Sequence, residues 1–206
     1  MPASIYFRDM NFLAGDVIAF AGREWASRAI ALGTCKFSQL LTGRWISHMG
    51  VIAPHDGQAL LFESTTFTDM PCAIREERVN GVQAHNPYQR LAQYEGRAWI
   101  MRPRKRVSEA QAEALAAFCL GSINAPYDYR QAVLSAVPHW IKRLGWIAPD
   151  QSLLFCDELV SMALMDAQII GHDYNPSKAT PAWVAWWLVD SWQFMPMHRL
   201  TDKAIW

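Results

Sequence analysis

The sequence predicts an α+β domain in which an antiparallel sheet packs against helices. Three observations point to this class. Strand-like runs at residues 46–53 and 59–65 flank the turn sequence Pro54-His55-Asp56-Gly57, the pattern of a β-hairpin. A helix start stands at Ser108, with Gln111 three positions later in capping-box spacing. A second apolar helix opens at Cys156 and runs through Leu159-Val160-Ser161-Met162-Ala163. The 206 residues are enough for one good core and too few for two large ones, and 51% of them are hydrophobic. With no internal repeat or flexible linker, the reading is one domain over residues 1–206.

In chain order, Leu13-Ala14-Gly15-Asp16 reads as a turn feeding a short strand, Val17-Ile18-Ala19-Phe20. Residues 23–42 carry helix-forming sequence that Gly33 and Thr34 divide. The hairpin follows. Residues 66–78 read as a loop, and Arg75-Glu76-Glu77-Arg78 in it as a solvated patch. Gly81-Val82-Gln83-Ala84-His85 reads as a strand. Asn86-Pro87 opens a short helix, with Asn86 as cap and Pro87 in its first position. Residues 97–102 alternate as a strand does. In the Ser108 helix, Ala112, Leu115, Ala116, Cys119 and Leu120 form the apolar stripe. Residues 130–153, broken by Pro138, Gly145 and Pro149, read as a helical insertion leading to Cys156. Residues 171–177 read as loop, Thr180-Pro181 starts a last helix, and the final residues suit a closing strand.

Composition excludes several function classes. Nineteen basic and nineteen acidic residues leave no charge excess for nucleic acid or for a basic partner. Cys35, Cys72, Cys119 and Cys156 are scattered, with no CxxC spacing, so neither a zinc site nor a disulfide framework is expected. No metal and no cofactor is implied. The N-terminal residues show no signal sequence, and no run of about 18 apolar residues offers a transmembrane segment. A cytoplasmic location is the default, with signal-less export as the other route. Ten tryptophans, five of them late (Trp183, Trp186, Trp187, Trp192, Trp206), read first as a tryptophan-rich core and lid, and second as a lipid-facing surface.

One constellation carries chemistry. A thiol at a helix start meets unpaired N–H groups and the positive end of the helix dipole, which favour thiolate. Asp157 and Glu158 oppose this unless Asp157 turns to solvent. An inert buried cysteine is the competing reading of Cys156. A cysteine nucleophile needs a base and a group to orient that base. Of six histidines, His48 opens a strand, in Ser47-His48-Met49-Gly50-Val51-Ile52. Glu63 lies within the apolar run of the partner strand, where a carboxylate needs a partner. The two are therefore expected to face each other across neighbouring strands.

Gly15-Asp16-Val17-Ile18, the His48 strand, Phe62-Glu63-Ser64, Tyr127-Asp128, Phe155-Cys156-Asp157-Glu158-Leu159-Val160 and Thr180-Pro181-Ala182 occur in an order that resembles the permuted NlpC/P60-like hydrolases. The YiiX/YebB-type branch of these papain-like enzymes looks nearest, because its histidine strand precedes its cysteine helix. The resemblance implies a circularly permuted papain-like fold, with Cys156 as nucleophile, His48 as general base and then acid, and Glu63 as third member. Tyr127 would line the cleft and assist the oxyanion. Asp16 would fix a turn rather than do chemistry. Asp157 departs from the common Cys-Ser-Glu-Leu form.

The implied function is a cysteine hydrolase cleaving an amide bond through an acyl-thioester. Its substrate would be a peptide or small-molecule amide, such as a peptidoglycan fragment or an N-acyl amino acid. Two rivals stand beside it: a lipid acyltransferase or phospholipase working at a membrane surface, and a non-catalytic binding module of the same fold. The sequence sets no oligomeric state.

Overall fold

The computed structural model describes residues 10–22, 46–66, 68–126, 155–173, 175–176 and 179–200. The segments expected to hold a helix at 23–42 and an insertion at 130–153 lie outside these residues, as do Cys35 and Tyr127.

The described chain builds a six-stranded antiparallel sheet and four helices. The strands are β1 (Val17–Gly22), β2 (His48–His55), β3 (Gln58–Thr65), β4 (Gly81–His85), β5 (Gly96–Met101) and β6 (His198–Arg199). Their order across the sheet is β4-β3-β2-β1-β5-β6. The helices are α1 (Pro87–Gln93), α2 (Glu109–Gly121), α3 (Cys156–Asp166) and α4 (Pro181–Asp190). Among the described residues, no helix is long and apolar enough to cross a membrane.

The expected hairpin forms, with a tighter turn than the sequence suggested. Asp56 and Gly57 take φ of 48° and 73°, so two residues suffice to reverse the chain. Pro54 and His55 therefore stay in β2, paired with Ala59 and Gln58. Proline is tolerated there for a local reason. Ile52 donates toward β1, to the Asp16 carbonyl, so Pro54 would point the same way, beyond the first residue of β1.

Strand alternation divides the core into two layers. Val17, Ala19, Met49, Val51 and Phe62 face the helices and pack with Leu115, Cys119, Val160, Leu164 and Leu188. Ile18, Phe20, Ile52, Leu61 and Ile100 face the other way and are covered by Phe12, Leu91 and Leu200. Asp16 does what its place in the turn suggests. It is fully buried, accepts the Leu13 N–H at 2.9 Å, and is gripped by the Arg102 guanidinium at 2.8 and 2.7 Å.

The helix starts follow the sequence signals. Asn86 caps α1 by accepting from the N–H groups of Tyr88 and Gln89. Ser108 and Gln111 form the reciprocal capping box of α2. Thr180 accepts the Trp183 N–H at 3.2 Å at the start of α4. Of the tryptophans expected in a core and lid, Trp183 and Trp187 are half-buried and pack against the edge of the core. Among the described tryptophans only Trp99 is buried. Pro181, Ala182, Val184, Ala185 and Leu188 supply the buried side of α4, which leaves Trp183, Trp186 and Trp187 on the outer side, and Trp192 is 74% exposed.

Candidate active site

Cys156 is the first residue of α3 and is fully buried. The helix start is held by Glu158, whose carboxylate accepts the Phe155 N–H at 3.1 Å, one half of a capping box. The α3 helix packs on the helix-facing side of the sheet, and this brings the sulfur to Met49. The backbone N–H groups of Met49 and Asp157 lie near enough to the sulfur to lower its pKa.

Met49 is free to do this because the β2–β3 ladder ends one residue earlier. The last pair in register is Gly50 with Glu63. The opposite edge of β2 is also irregular here. Phe20 is in register with His48, yet its carbonyl accepts the Ser47 N–H at 2.9 Å. Two residues thus oppose one, the arrangement of a β-bulge, which re-aims side chains at a strand end.

His48 begins β2. Strand alternation gives it the sheet face opposite Met49, so the imidazole belongs to the layer of Phe20 and the Cys156 sulfur to the helix-facing layer. Its ring lies against Phe20, with centroids 5.5 Å apart. Nε2 is 2.7 Å from Oε2 of Glu63. The expected pairing of His48 with Glu63 across neighbouring strands is therefore present. Gly50 makes the approach possible. A Cβ there would lie 2.7 Å from the Phe62 carbonyl oxygen and 3.2 Å from the Glu63 Cβ.

Glu63 is fully buried and has a second, stronger partner that the sequence reading missed. Arg90 of α1 donates from Nε to Oε1 at 2.6 Å and from Nη2 to Oε2 at 3.2 Å. Burial alone would push the Glu63 carboxyl up. The Arg90 charge, then the His48 contact, outweigh it and hold the group far below the usual carboxylate range. Glu63 is thus ionised and accepts only. The His48 nitrogen facing it carries a proton, so in the neutral ring the lone pair lies on Nδ1. That is the tautomer a general base needs.

His85 completes the buried polar group. Its Nε2 lies 3.1 Å from the Gln83 Oε1 and 3.7 Å from the Glu63 Oε1. Gln83 in turn donates to the carbonyls of Thr65 and Val79. Burial, opposed by Glu63 and reinforced by Arg90, lowers the His85 pKa, so this imidazole is held neutral.

The thiol departs from expectation. Asp157 does not turn to solvent; it is fully buried. Burial first, and the Asp157 carboxylate second, raise the Cys156 pKa well above its ordinary value, and the neighbouring backbone N–H groups only partly offset them. The sulfur therefore rests as a thiol, and helix-start stabilisation alone does not make it a thiolate. Cys119 is likewise pushed up by burial, and the Cys72 sulfur accepts the Ala84 N–H at 3.4 Å inside the core. Among the described residues, no group of three His, Cys, Asp or Glu side chains is placed to hold a metal ion.

Comparison with known proteins gives one line of information. No family model matches the chain, and no curated protein matches it. Among solved structures, the chain is similar to the crystal structure of metalloprotein yiiX from Escherichia coli O157:H7, DUF1105. Identity is 20%, the TM-score is 0.53, and the match covers 78% of this chain and 69% of that one. The chain thus has a YiiX-like α+β fold.

Proposed function

We propose that this chain is a cysteine hydrolase of the permuted NlpC/P60-like, papain-like type, and that it cleaves an amide bond. The observation that carries the reading is the placement of the Cys156 sulfur against the Met49 N–H, one residue from an imidazole whose Nε2 is fixed by an ionised Glu63. In this reading residues 1–206 form one domain, with residues 130–153 as an insertion and Tyr127 lining the cleft.

The chemistry follows from a thiol that rests protonated. As the sulfur attacks the substrate carbonyl carbon, Nδ1 of His48 takes the thiol proton, and Glu63 stabilises the imidazolium. The carbonyl oxygen becomes an oxyanion, which the backbone N–H groups at the start of α3 stabilise. The C–N bond then breaks, the amine leaves with the proton from His48, and an acyl-thioester remains. Water attacks the thioester, giving one proton to His48. The carboxylic acid departs, and the proton returns to sulfur. A thiol that rests protonated makes deprotonation part of the attack, rather than a preformed ion pair.

A resident metal does not suit these residues, although the structural neighbour is titled a metalloprotein. Both Glu63 oxygens are engaged by the Arg90 guanidinium, a fixed cation where a metal ion would compete. Peptide and N-acyl amino-acid amides, peptidoglycan fragments among them, are the substrate class in this reading.

The test is turnover of a panel of acyl-amides and muropeptides by the native protein and by Cys156→Ser. The native protein should release amine and the variant should not. Equal rates would remove Cys156 from the reaction.

A second reading keeps the nucleophile and exchanges the amide for a lipid acyl ester. The outward Trp186 and Trp192, 39% and 74% exposed, favour it, since indole rings suit a membrane interface. Flotation of Cys156→Ala with liposomes decides between the two; absence of binding counts against the lipid substrate.

A further inference from the structure

Among the described residues Arg90 is the one buried cation of the site, and neither the hydrolase reading nor the resemblance gives it a role. It sits in α1, on the sheet face that carries His48 and Glu63, and is only 6% exposed. Its guanidinium reaches both oxygens of Glu63, at 2.6 and 3.2 Å, and its Cζ lies 5.4 Å from the Phe20 ring centre and 5.3 Å from that of Tyr94. Phe20 is also the ring against which His48 rests. One guanidinium, lying over a contacting pair of aromatic rings, thus fixes the carboxylate that fixes the imidazole.

We propose that Arg90 is a positioning residue of the catalytic apparatus: it clamps Glu63 in place and balances its charge, so that His48 is oriented by a carboxylate without being driven to keep a proton. This rests on the hydrolase reading above.

The charge argument is simple. A buried carboxylate alone beside an imidazole is an uncompensated negative charge in a low dielectric, and the pair takes up a proton to relieve it. His48 would then rest as imidazolium, unable to accept the Cys156 proton. With Arg90 present, carboxylate and guanidinium already sum to zero, so Glu63 presents the imidazole with no uncompensated charge. Coulombic attraction from Arg90 is the largest influence lowering the Glu63 pKa, which agrees with the contact geometry. The other groups of the cluster do not replace it. His85 of β4 is held neutral, Tyr94 follows α1, and Asp157 of α3, which acts on Cys156, carries negative charge. The geometric argument is equally direct. A planar fork holds two oxygens at once, whereas an ammonium holds a point.

Two variants separate charge from geometry. Arg90→Gln removes the cation, and Arg90→Lys keeps it without the fork. The readouts are the titration of the His48 ring, followed by NMR on histidine-labelled protein with His48→Asn as the assignment control, and the pH dependence of kcat. In Arg90→Gln the His48–Glu63 pair should take up its proton about 1–3 pH units higher than in the native protein, and the acid limb of the kcat profile should move with it. In Arg90→Lys the titration should stay near native while kcat falls about tenfold or more. A folded Arg90→Gln with a native His48 titration overturns the charge role. A native kcat and profile in Arg90→Lys overturns the clamp, and this variant decides the matter if Arg90→Gln fails to fold. The ring titration is read without any substrate, so a failed hydrolase assignment and a failed Arg90 role give different results.

Discussion

Nε2 of His48 and Oε2 of Glu63 lie 2.7 Å apart, just where the β2–β3 ladder stops. The contact joins a strand-end histidine to a fully buried carboxylate, and everything else in the site is arranged around it. Glu63 is fixed by Arg90 from behind; the sulfur of Cys156 lies against the neighbouring Met49. If the pair works as orienter and base, its two members have unequal roles. His48→Ala should lower kcat about 10²–10⁴-fold, the usual worth of a positioned acid–base group. Glu63→Gln, which keeps a hydrogen-bonding side chain but no charge, should cost less. Steady-state kinetics on purified, folded variants checks the order, and the reverse ranking would overturn the roles.

Gly50→Ala should disturb the site from within the sheet. The new methyl would meet the Phe62 carbonyl at 2.7 Å and the Glu63 Cβ at 3.2 Å, and neither neighbour is the free end of a flexible chain. Forcing a group into that space costs about 1–3 kcal/mol. Urea unfolding should show the midpoint shift, and kcat should drop in the folded variant as the His48–Glu63 contact opens. A native midpoint would mean that the two strands can separate freely at this pair.

His85 gives a stability prediction with a definite sign. Its pKa in the folded protein is lowered, chiefly by burial, from the ordinary value of about 6.5 in the unfolded chain. Below about pH 6.5 the unfolded state therefore binds more protons than the folded one. The contribution of His85 is fully present above that pH and is lost as pH falls through the lower, folded value. His85→Gln should have a shallower decline in stability between pH 7 and pH 5 than the native protein. Urea titrations at the two pH values measure this; parallel declines would show that His85 is not the group responsible.

How much of this was legible in the sequence depends on how local the signal is. The hairpin, the Asn86, Ser108 and Thr180 helix starts and the Asp16 turn all rest on neighbours within a few residues, and they stand as read. The His48–Glu63 contact was also legible, because a carboxylate inside Leu60-Leu61-Phe62-Glu63 requires a partner on the adjoining strand. Arg90 was not. It comes from a helix 27 residues downstream, and the short helix that carries it looks amphipathic and ordinary. Its signal was the excess charge of Glu63: a neutral imidazole is too weak a partner for a fully buried carboxylate. The burial of Asp157 was not legible either. An acidic residue in the first turn of a helix ordinarily faces water, and only the packing of α3 against the sheet shows that this one is buried.

The central claim is that Cys156 is the atom to which an acyl group is transferred. Incubation with an activated acyl ester, acid quench and peptide mass spectrometry tests it directly, with native protein beside His48→Ala and Cys156→Ala. The account predicts an acyl group on the peptide that contains Cys156, much less of it in His48→Ala, and none on that peptide in Cys156→Ala. Acylation of Cys72 or Cys119 in place of Cys156, or equal labelling of Cys156 with and without His48, would contradict it.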